Sequence, residues 1–126
     1  MNPTELRSRQ REVFAKTELA GELADLASVL IKFIYHKSPT CYFEAIGDHE
    51  WVLRPENWVG IYMSQGRRKW LPEPNVTLSL DLWPLNFPAD VKLVAKQGRK
   101  PSWSKVTLRG VHDLPDALKL LSYTHQ

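Results

Sequence analysis

The sequence predicts an α+β domain in which helices pack on one face of an antiparallel sheet. Residues 76–83 place aliphatic side chains at every second position, which is the period of a strand with one buried face. Residues 19–34 instead place apolar side chains three and four positions apart, as an amphipathic helix does. Further strand-like segments flank residues 76–83 without a long linker, and a chain of 126 residues has the size of one domain. We therefore expect residues 1–126 to form a single domain.

Two helices are predicted within residues 3–38. The first covers residues 3–14 and begins with a proline, which is favoured in the first turn of a helix. The second is predicted to begin at Thr17, because threonine is a good N-cap residue. Pro39 disfavours helical geometry at the residue before it, so this helix should end by residue 38.

The sheet is predicted within residues 41–109, and a third helix within residues 114–124. Runs rich in β-branched and aromatic residues, bounded by glycine, proline or asparagine, predict the individual strands. These runs are residues 41–46, 51–53, 58–64, 76–83 and 103–109, with a weaker strand or short helix at 91–95. Asp113 is expected to cap the third helix, and Pro115 suits its first turn.

The alternation in the strands divides the sheet into an apolar face and an opposite, open face. Side chains predicted to face the helices are Val59, Ile61, Met63, Val76, Leu78, Leu80, Leu82, Val106 and Leu108. Side chains predicted on the open face are Trp58, Tyr62, Thr77, Ser79, Asp81, Trp83, Trp103, Lys105, Thr107 and Arg109. The open face therefore combines aromatic rings with basic groups.

Positive charge is concentrated in the middle of the chain. Residues 57–110 contain 9 basic and 3 acidic side chains, whereas residues 1–56 contain 7 and 9. Between Lys92 and Arg109 there are six basic residues and no acidic one. Such an asymmetry favours an anionic partner, nucleic acid first, although a solvated basic surface would give the same composition.

We predict a nucleic-acid-binding surface from the basic loops and the open face, because bases stack on aromatic rings while phosphates pair with lysine and arginine. The predicted binding residues are Arg67, Arg68, Lys69, Trp70, Lys92, Lys96, Arg99, Lys100, Trp103, Lys105 and Arg109, with Trp58, Tyr62 and Trp83 as open-face aromatics. The same residue types suit a protein interface or a homodimer. Cross-strand packing without any ligand is the third interpretation.

The second half of the chain, about residues 57–124, resembles the small MmcQ/YjbR-like α+β domains. The resemblance rests on Gly60-Ile61-Tyr62, Asp81-Leu82-Trp83-Pro84, Trp103-Ser104-Lys105-Val106 and Leu121-Ser122-Tyr123. It implies helices on one side of an antiparallel sheet and a role in DNA binding, and it implies no catalytic residues. Residues 1–56 have no counterpart in that resemblance.

The sequence favours a non-enzymatic role without catalytic residues, cofactor or metal. It contains no glycine-rich phosphate loop, and the four histidines lack metal-ligand spacing. A weaker alternative is a metal-dependent nuclease that uses Asp81 with Lys105, and Glu44 as a third group. An acid beside a base on an open sheet face is more often a cross-strand ion pair.

Cysteine content and hydropathy favour a cytoplasmic protein that does not cross a membrane. Cys41 is the only cysteine in the sequence, so no disulfide forms within the chain. No apolar run approaches the roughly 20 residues that span a bilayer, and the N-terminus lacks an apolar signal core.

Overall fold

A computed structural model describes residues 1–54, 60–67, 69, 71–98 and 102–124. Its helices and strands confirm the α+β class. The helices are α1 (Pro3–Thr17), α2 (Gly21–Lys37) and α3 (Leu114–Thr124). The strands are β1 (Tyr42–Ala45), β2 (Glu50–Arg54), β3 (Gly60–Ser64), β4 (Asn75–Leu80), β5 (Lys96–Gln97) and β6 (Ser104–Leu108).

The six strands form one sheet in the order β1-β2-β3-β4-β6-β5, and every neighbouring pair is antiparallel. Residues 81–95 carry the chain from β4 to the far edge, and β6 then returns between β4 and β5. This crossover is attached to α3. The Lys92 backbone N–H donates to the Asp116 carboxylate at 2.9 Å, and the Lys119 ammonium pairs with Asp90.

The core lies between one face of the sheet and the helices, as the alternation in the strands predicts. Leu78 and Leu80 of the central strand are fully buried, together with Leu30 and Ile34 of α2. The other described positions predicted to be apolar are also buried: Ile61, Met63, Val76, Val106 and Leu108. Val59 lies outside the described residues, and Leu82 packs against the core from beyond the end of β4.

The boundary between the first two helices differs from the prediction. Thr17 does not cap α2; it is the buried last residue of α1, and its hydroxyl donates to the Val13 carbonyl at 2.7 Å. Glu18, in the left-handed conformation with φ 56°, ends α1, and α2 begins at Gly21 without a side-chain cap. A threonine hydroxyl can be satisfied inside a helix as well as at its start, so residue type alone misplaced this boundary.

Three other predicted features of the secondary structure also change. β4 ends at Leu80, so Asp81 and Trp83 lie beyond the strand, and Trp83 precedes a 3-10 turn at Pro84–Asn86. Residues 91–95 are irregular, and the strand of this region is β5. Asp113 closes a 3-10 turn, Val111–Asp113, where its carboxylate accepts the Arg109 backbone N–H at 2.7 Å.

Candidate nucleic-acid interface

A groove of about 590 Å³ lies over the open face of the sheet. Strands β2, β3, β4 and β6 contribute side chains from this face, and residues 92–96 and 112–113 contribute from the flanking segments. The lining residues are Glu50, Tyr62, Leu71, Asn75, Thr77, Lys92, Leu93, Val94, Lys96, Lys105, Thr107, Arg109, His112 and Asp113. Four of the predicted nucleic-acid-binding residues and one predicted open-face aromatic are therefore in one place.

The four cations of the groove are Lys92, Lys96, Lys105 and Arg109. Within the described part of the chain, none of these four side chains forms a salt bridge with a carboxylate. Lys96 and Lys105 are direct partners across β5 and β6. Like charges directly opposite on neighbouring strands destabilise a sheet. An anion between these two ammonium groups would offset that repulsion.

Tyr62 provides the aromatic surface of the groove. A Cβ atom on Gly60 would lie 3.2 Å from Tyr62 Cε1, so the ring lies against the backbone at Gly60. The Lys105 ammonium and the Arg54 guanidinium each lie 5.9 Å from the ring centroid. Arg54 also pairs with Glu44 at 3.6 Å, so it is partly neutralised. The absent side chain at residue 60 thus allows the ring to lie along the sheet, with two cations near it.

Two threonine hydroxyls add hydrogen-bonding capacity beside the ring. Thr77 Oγ1 donates to Asn75 Oδ1 at 3.0 Å, and it lies 3.1 Å from Thr107 Oγ1. Because the single Thr77 proton is used toward Asn75, the Thr107 hydroxyl donates to Thr77. The lone pairs of Thr107 Oγ1 then remain available to accept a hydrogen bond on this half-buried strand surface.

Two carboxylates, Glu50 and Asp113, also line the groove. Asp113 accepts the Arg109 backbone N–H, and its second oxygen lies 3.5 Å from His112 Nε2. Among the described lining residues, and leaving His112 aside, four cations and two carboxylates leave an excess of two positive charges. This excess of positive charge favours an anionic ligand.

Other predicted residues lie away from the groove lining. Arg67 and Lys69 are exposed in the connection between β3 and β4, where the Arg67 N–H donates to the Pro72 carbonyl at 3.1 Å. Trp83 is 52% exposed outside the groove, and Trp103 is half-buried just before β6. Arg68, Trp70, Arg99, Lys100 and Trp58 lie outside the described residues.

The structure adds groove residues that the sequence did not indicate. Asn75 was missed because β4 begins one residue before the predicted strand. His112 and Asp113 follow β6 in a 3-10 turn, and no local sequence pattern predicts that this turn returns to the sheet face. Strand pairing is the signal for Glu50, since it lies opposite Ser64 on the face that holds Tyr62.

The acidic and basic groups considered for a nuclease are not brought together. Lys105 lies opposite Ser79 with its ammonium over Tyr62, whereas Asp81 lies beyond the end of β4. Glu44 pairs with Arg54 instead. Among the residues that the structure describes, no three histidine, cysteine, aspartate or glutamate side chains cluster as metal ligands. Burial raises the pKa of the Cys41 thiol.

In the described ranges, no helix has the length and apolar character needed to cross a membrane. Comparisons of the chain with family models, curated proteins and solved structures found no match.

Proposed function

We propose that the groove binds nucleic acid and that the protein has a non-enzymatic accessory or regulatory role. The observation that supports this most strongly is the direct opposition of Lys96 and Lys105 across β5 and β6. Lys92 and Arg109 line the same groove. An anion bound between the two charges would offset their repulsion, and phosphate is the anion that nucleic acid supplies.

The rest of the groove matches the other parts of a nucleotide. Tyr62 offers a ring to a base, and the Thr107 hydroxyl offers an acceptor to its N–H groups. A cytoplasmic location is part of the proposal, since nucleic acid is present there and the only cysteine is buried and free.

A charge-reversal experiment tests this function. Lys96→Glu with Lys105→Glu should weaken oligonucleotide binding at least tenfold, measured by fluorescence anisotropy at low salt. The matched control is Arg11→Glu with Lys32→Glu, which changes net charge equally on the exposed surface of α1 and α2. The control should lose far less affinity, and both variants should keep their melting temperature. Equal losses in the two variants would show that net charge alone attracts the ligand.

A protein-interaction module, such as an immunity- or inhibitor-type protein, is the second candidate. Its support is the exposure of Trp83 and Leu85, at 52% and 81%, on the segment that follows β4. Exposed tryptophan is a frequent anchor of protein interfaces. Salt response separates the two functions, because phosphate contacts weaken steeply as salt rises while an aromatic interface is less affected. A homodimer through Trp83 would appear as a concentration-dependent mass in analytical ultracentrifugation.

A further inference from the structure

We infer that the groove selects single-stranded nucleic acid, with one unpaired base over Tyr62 and Thr107 and the neighbouring phosphates on the lysines. This inference rests on the proposed function and adds the class of nucleic acid to it.

The volume of the groove suits one nucleotide unit. About 590 Å³ is within the range of roughly 300–1,000 Å³ in which small-molecule sites fall. In a duplex, each base is paired and stacked on both sides, so only the backbone would reach the sheet. Extracting a paired base costs a few kcal/mol. A single strand presents its bases without that cost.

The ring is placed for a base rather than for a phosphate. Gly60 allows the Tyr62 ring to lie against the sheet, so the ring forms part of the groove lining. Base stacking on an aromatic side chain tolerates every base, because all four have a π face. The Thr107 acceptor is on the neighbouring part of the same face, since Tyr62 pairs with Thr77 and Thr77 with Thr107.

The charges are placed for the phosphates next to that base. Lys105 lies next to the ring, and Lys96 is its direct partner on the edge strand. Lys92 and Arg109 line the groove from the crossover segment and from the residue after β6. Asp113 next to Arg109 partly offsets its charge, so we expect the phosphate contact at Arg109 to be weaker than those at the lysines.

The test compares three ligands at one salt concentration: a fluorescent single strand, the duplex of the same sequence, and a nucleoside monophosphate as competitor. We expect the single strand to bind at least fivefold more tightly than the duplex, and far more tightly than the monophosphate. Tyr62→Ala should remove at least fivefold of single-strand affinity while duplex affinity stays the same. Tyr62→Phe keeps the ring and should keep the preference.

Each other result has a defined meaning. Equal or tighter duplex binding would overturn the single-strand inference while the proposed function stands. Unchanged single-strand affinity in Tyr62→Ala would overturn it as well, because the base would not be on the ring. Monophosphate binding as tight as the oligonucleotide would replace it with a small-nucleotide pocket. No binding of any of the three ligands would overturn the proposed function together with the inference. Thermal unfolding of each variant verifies that Tyr62→Ala is folded.

Discussion

Each of the four groove cations should contribute separately to the salt dependence of oligonucleotide affinity. Each phosphate neutralised on a single strand contributes about −0.7 to the slope of log affinity against log salt. If Lys92, Lys96, Lys105 and Arg109 each meet one phosphate, the slope is about −2.8. A rise from about 0.05 to 0.2 M salt then weakens binding about 50-fold.

Lys96→Ala removes one of those contacts. The slope should fall to about −2.1, and the same rise in salt should weaken binding only about 20-fold. Lys32→Ala on α2 is the matched control, because Lys32 is exposed and its helix packs on the opposite face of the sheet. Anisotropy titrations at four salt concentrations measure both slopes. A slope that Lys32→Ala changes as much as Lys96→Ala does would refute the assignment of phosphates to the groove.

Three further predictions concern the scaffold. Leu80→Ala should lower the free energy of unfolding by about 2–5 kcal/mol, because Leu80 is fully buried. Urea denaturation measures this loss, and a loss well below about 1 kcal/mol would contradict the assigned core face. Gly60→Ala places a Cβ atom 3.0 Å from Val52 Cγ2 and 3.2 Å from Tyr62 Cε1. We therefore expect a loss of about 1 kcal/mol in the free energy of unfolding and weaker single-strand binding. No change in either quantity would show that the position of the Tyr62 ring does not depend on residue 60. The Lys119 ammonium lowers the pKa of Asp90 by hydrogen bonding, so the wild type should exceed Asp90→Asn in stability at pH 7. The difference should begin to shrink near the ordinary carboxyl pKa of 3.8 and vanish as the pH falls through the lowered pKa of Asp90 in the folded protein. An equal difference at pH 7 and pH 2, by thermal unfolding, would exclude that pair as the cause.

Local pattern was sufficient for the parts of the fold that depend on burial. The alternation around Leu78 predicted which face of the sheet meets the helices. If the pairing register of this strand shifted by one residue, its leucine side chains would face water instead of the core. The spacing of Leu26, Leu30 and Ile34 predicted the buried stripe of α2 in the same way. These two sequence patterns predict structure well because the burial of many side chains depends on which face of the strand or helix meets the core.

The groove depends on long-range pairing, which local pattern does not contain. Lys96 and Lys105 are opposite each other only because the chain crosses to the edge of the sheet before β6 returns. The sequence indicated that both residues are basic, and it placed Tyr62 and Lys105 on one face. It could not show that β5 covers only two residues, or that His112 and Asp113 turn back toward the groove.

The location of the bound strand is the most direct test of the central claim. An amide chemical-shift titration of the isotope-labelled protein with a short single-stranded oligonucleotide would determine that location. The claim predicts saturable shifts at Tyr62, Thr77, Lys105 and Thr107, and none on the exposed side of α2. Shifts confined to the helices, or to the segment around Trp83, would contradict it and place the interface elsewhere.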